Sequence, residues 1–119
     1  MTFDQLFARA LAGAPRFGHR EHVRLAWLAV RAHGVAAATD LVGDGLRRAG
    51  GAKYHATITR AWVELVGVHA AGDPDFDVFL RSNPALLDEH LLDRFYHPAT
   101  LASAAARQSW IEPDKEPFP

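Results

Sequence analysis

Residues 17–27, Phe17-Gly18-His19-Arg20-Glu21-His22-Val23-Arg24-Leu25-Ala26-Trp27, set two histidines one helical turn apart and then turn apolar. The 3-and-4 spacing continues through Ala26, Ala29 and His33, which places these residues on one face of a helix. Gly34 is the expected C-terminal cap, so the spacing predicts a helix over residues 18–33. A second stretch, Lys53-Tyr54-His55-Ala56-Thr57-Ile58-Thr59-Arg60-Ala61-Trp62, opens in the same way. His55, Ile58, Trp62, Leu65 and His69 repeat the spacing, which predicts a helix over residues 54–71 ended by Gly72-Asp73-Pro74. At an offset of 36 residues, His19 aligns with His55, Arg24 with Arg60 and His33 with His69, a partial echo.

The flanking sequence fits the same architecture. Thr2 or Asp4 caps a helix over 3–11, which Gly13-Ala14-Pro15 ends. A third helix is expected over 36–49, weakened by Gly43 and Gly45 by up to about 1 kcal/mol each. Asp75 or Asp77 leads a short helix through Phe76, Phe79 and Leu80. Asn83-Pro84 reads as a cap followed by proline at the first helical position. Leu86, Leu87, Leu91, Leu92 and Phe95 then predict one amphipathic helix, ended by His97-Pro98, and residues 101–110 one more. No segment alternates like a strand. The reading is an all-α bundle of about five to seven helices, with residues 1–110 as a single helical domain and 111–119 as an extended, proline-rich C-terminal tail. Trp110 and Phe118 are expected to pack back onto the domain, because two large aromatics are costly to leave in water.

Composition narrows the function classes. At 119 residues, 49% apolar and 23% charged, the chain suits one globular core. The net charge of -1 supplies no field for nucleic acid, and the arginines are too sparse for a phosphate-tracking patch. Without cysteine, disulfides, thiolate metal sites and thiol catalysis are excluded. The opening residues lack a signal peptide and no stretch is apolar for long enough to span a bilayer, so no membrane partner and a cytoplasmic location are expected. A homo-oligomer is compatible with this composition. No glycine-rich phosphate loop or nucleophile motif is present.

Topology gives the histidines their interest. If the second, third and fourth helices run up, down and up, then His19, His22 and His55 meet at one end of the bundle. Three imidazoles so placed are a candidate site for a divalent transition metal (Zn²⁺, Fe²⁺, Ni²⁺ or Cu²⁺), with an open position for a small-molecule ligand. A shared ion would make stability sensitive to chelators. Glu21 and Tyr54 are the candidate proton-transfer or supporting groups. His33 and His69 read as helix-end residues, and His90 and His97 as members of a solvated face with Asp93 and Arg94. Two function classes follow: metal-assisted or acid-base chemistry on a small molecule, or a non-catalytic interaction or accessory protein whose histidines are structural. The segment Arg16-Phe17-Gly18-His19-Arg20-Glu21-His22, with Lys53-Tyr54-His55, resembles small bacterial all-helical proteins of unassigned activity over most of the chain. That resemblance implies the fold and carries no functional residue.

Overall fold

The computed structural model describes residues 1–70, 72 and 75–119. Among the described residues it is all-helical, with no strand. Helix α1 spans Phe3–Leu11 and is capped by a reciprocal box, in which Thr2 Oγ1 accepts from Gln5 N–H and Gln5 Oε1 accepts from Thr2 N–H. Helix α2 spans His19–His33, and α3 spans Val35–Gly50. Only Gly34 separates these two, at φ 83°, a left-handed conformation that glycine adopts without a side-chain clash. Helix α4 spans Ala56–His69 and follows a single 3-10 turn at Gly51–Lys53. Its expected extension to Ala71 and the Asp73-Pro74 stop lie outside the described residues.

Helices α2, α3 and α4 all pack on one another, and α1 lies across α2 and α3. Val23, Leu25, Ala26 and Ala29 of α2, Ala38 and Val42 of α3, and Ala61, Trp62, Leu65 and Val66 of α4 form the shared core. Gly45 is fixed by packing. A methyl group there would overlap the Phe3 ring, so the gap in α3 is where α1 rests. The buried part of each seam matches the spacing in sequence, whereas His33 and His69 at its ends are exposed.

The C-terminal half wraps this core in short pieces. Asp75 caps α5 (Phe76–Ser82) by accepting from the N–H groups of Asp77 and Val78. The single amphipathic helix expected through Leu86 and Phe95 does not form. Two 3-10 turns, Pro84–Leu87 and Leu91–Arg94, stand in its place. Asp88 between them is extended, and its carboxylate accepts from His90 N–H, a local turn that competes with helix. Asn83 does not cap the first turn by its side chain and donates instead to Phe79 O. His97-Pro98, expected to end a helix, instead opens a short one, α6 (Pro98–Leu101), and the helix expected over 101–110 is shorter, α7 (Ala104–Gln108), capped by Ser103.

Residues 111–119 carry no helix and are tied down along their length. Thr57 Oγ1 donates to Ser109 O and accepts from Ile111 N–H, and Tyr96 O–H donates to Ile111 O. Asp114 accepts from His97 N–H and from the Thr100 hydroxyl. Phe118 meets Phe95 edge-on at 5.0 Å, and Trp110 lies near both Tyr96 and Phe118, so the two expected aromatics do pack back. The radius of gyration of 13.5 Å equals that of a compact chain of this length, about 13.5 Å.

Candidate functional site

The start of α2, the end of α3 and the start of α4 come together at one end of the bundle. They enclose a cavity of about 310 Å³ lined by Phe17 and His22, by Leu46 and Gly50, and by Lys53, Tyr54, His55 and Thr59. His22 and His55 thus share one wall, as the up-down-up topology requires.

The histidines are nevertheless held quite differently. His55 is the N-cap of α4. Its Nδ1 accepts from Ile58 N–H at 3.1 Å, and its Nε2 lies 2.7 Å from Leu101 O. A ring that accepts at Nδ1 and meets a carbonyl at Nε2 is the neutral Nε2–H tautomer, with both nitrogens committed. His19 stands edge-on to Trp62 at 4.5 Å and donates from Nε2 to Leu86 O at 2.8 Å. His22 has no such partner. The residue as a whole is only partly buried, but its Nε2 is sealed from solvent and makes no hydrogen bond. The ring packs against Phe17 at 5.9 Å. Burial, and secondarily the neighbouring His19, push its pKa down to about 4, so the ring is neutral at pH 7.

As arranged, His19, His22 and His55 do not form a ready metal-binding set. Backbone groups occupy both nitrogens of His55 and the Nε2 of His19, and these would have to be released before either ring could bind an ion. Among the described residues, no group of three His, Cys, Asp or Glu side chains is placed to hold a metal. Glu21 has a capping role, since its Oε1 accepts from Gly18 N–H at 2.9 Å and closes the start of α2. Tyr54 keeps its place in the site. It is extended rather than helical, and with Thr59 it separates the cavity from a neighbouring one of about 180 Å³ that reaches Asp40, Asp44 and Trp110.

Five lining residues carried no site role in the sequence reading: Phe17, Leu46, Gly50, Lys53 and Thr59. Phe17 and Lys53 lie inside the two quoted stretches, one on either side of the site. That symmetry was the available signal. Among the described residues, no helix is long and apolar enough to cross a membrane. No protein-family model, curated protein or solved structure matches the chain.

Proposed function

We propose that this protein binds a small, largely apolar molecule with one hydrogen-bonding group in the 310 Å³ cavity between α2, α3 and α4, anchored by His22. One observation carries this reading. Buried polar atoms in folded proteins nearly always have a partner, and His22 Nε2 has none while its ring lines a cavity. An apolar wall with few convergent polar groups is the usual make-up of a ligand pocket, and Lys53, Tyr54, His55 and Thr59 are the other polar residues in its lining. A neutral imidazole offers one N–H and one lone pair, so it can match a hydroxyl, an amide or a carbonyl. A ring with a pKa of about 4 is a poor base at neutral pH, which favours binding over proton abstraction. His19 and His55 support the structural alternative for themselves, because each ties a distant backbone carbonyl to the bundle.

The test uses phenol and benzamide as probes, followed by the ring resonances of His22. Saturable shifts are expected with at least one probe. His22→Phe keeps a ring of similar shape and should abolish them without unfolding the domain. Chelator should leave the melting temperature unchanged. If neither probe moves His22, or the Phe variant binds equally well, the histidines are structural. A chelator-induced fall in melting temperature would restore the three-histidine metal site.

A further inference from the structure

A second set of unmatched polar atoms lies on the other side of α2. Among the described residues, the buried side-chain nitrogens and oxygens without a hydrogen-bond partner are His22 Nε2, Arg24 Nε and Trp27 Nε1. The last two belong to residues that line one cleft of about 240 Å³, bounded by α1, α2 and the start of α5. Both nitrogens are obligate donors, since a guanidinium and an indole N–H cannot accept. What this wall lacks is therefore an acceptor.

Charge points the same way. Among the described residues, Arg9, Arg20 and Arg24 line the cleft against Asp75 and Asp77, an excess of one positive charge. The acidic groups are already engaged. Asp77 pairs with Arg20 at 2.8 Å, and Asp75 accepts from the two N–H groups it caps. Arg24 makes no ion pair among the described residues, and its guanidinium lies 5.9 Å from the Phe76 ring centre. Arg20 lies over the same ring at 5.1 Å, so two cations lie near one aromatic ring. Trp27 is 5% exposed, which keeps its indole N–H out of water.

We propose that this cleft is an oxyanion-binding site, in which Arg24 and the Trp27 indole N–H donate to the carboxylate or phosphate of a small molecule. Arg24 and Trp27 lie one helical turn apart on α2, so both can turn donors toward one anion. A volume of about 240 Å³ admits the charged group and a small body attached to it. The site is independent of the His22 cavity, so either can fail without the other.

Inorganic phosphate and benzoate, titrated separately at low ionic strength, are the probes. The readout is the Trp27 indole resonance in a ¹H–¹⁵N correlation spectrum, assigned by its loss in Trp27→Phe. A saturable shift of that resonance, with those of Trp62 and Trp110 little changed, is expected for one probe or both. Response to phosphate alone assigns a phosphate-bearing ligand, and response to benzoate alone a carboxylic acid. Arg24→Met should weaken binding about tenfold or more, since a charge-assisted donor is lost. Asp77→Asn, which frees Arg20 from its exposed pair, should tighten it. Should Trp27→Phe fail to fold, assignment by sequential connectivities in the parent and the Arg24→Met comparison keep the test intact. A Trp27 resonance that ignores both probes, a linear response without saturation, or an Arg24→Met variant that binds like the parent overturns the proposal.

Discussion

His55 does two jobs with one ring, and that makes it the most informative single residue for stability. Its Nδ1 caps α4, and its Nε2–H satisfies Leu101 O from a segment 46 residues away. His55→Ala removes the cap and strands a part-buried carbonyl, which together cost about 2–4 kcal/mol. His55→Asn can still cap but is too short to reach Leu101, so it should recover roughly half of that loss. Chemical denaturation of the three proteins tests this, and equal midpoints for Ala and Asn would show that capping contributes little. The same residue marks how far the sequence could be read. That His22 and His55 line one cavity followed from helix spacing and topology. That His19 and His55 are held by the carbonyls of Leu86 and Leu101 could not follow, because a main-chain carbonyl has no sequence signature. Arg24 and Trp27 were visible as neighbours on one face of α2. Their missing acceptor emerges only when the start of α5 is placed over them.

At the level of elements, α3 shows how one residue type serves two ends. Gly43 and Gly45 both weaken the helix, but they meet different neighbours. A methyl at Gly45 would overlap the Phe3 ring, whereas at Gly43 the nearest atom is the Tyr54 hydroxyl at a comfortable 3.8 Å. Gly45→Ala should therefore destabilise by about 1–3 kcal/mol through overpacking, despite better helix propensity. Gly43→Ala should stabilise by about 0.5–1 kcal/mol. Thermal melts of the two variants should move in opposite directions. A shared direction would mean that α1 does not rest on Gly45. Helices α1 to α4 were legible because capping residues and glycines mark their ends. The region 84–101 was not, because leucines spaced for one face suit a 3-10 turn as well as an α-helix. There Asp88, extended and hydrogen-bonded to the next turn, decided the outcome.

For the whole molecule, the proton affinity of His22 sets a pH dependence. Unfolded, the ring binds a proton near pH 6.5, and folded it does so only near 4. Between these values the unfolded chain holds more protons, so stability falls as pH drops through the window, by up to about 3 kcal/mol. Below about 4 both states are protonated and this loss is complete. Asp114 acts in the same sense at lower pH. The Thr100 hydroxyl and His97 N–H hold its carboxyl below the usual range, and the stability it adds disappears only beneath the His22 window. Denaturation midpoints at pH 7 and pH 4.5 should differ clearly for the parent and much less for His22→Phe. Equal differences would place the pH response elsewhere. The Thr57 hydroxyl has a further consequence, for the order of events in folding. Its two partners lie 52 and 54 residues along the chain, so this joint closes only after one of the longest loops in the molecule. During synthesis, α1 to α4 emerge and can associate while the Thr57 hydroxyl still faces water. Closing this seam therefore requires residues 109–111, which are made long after α4.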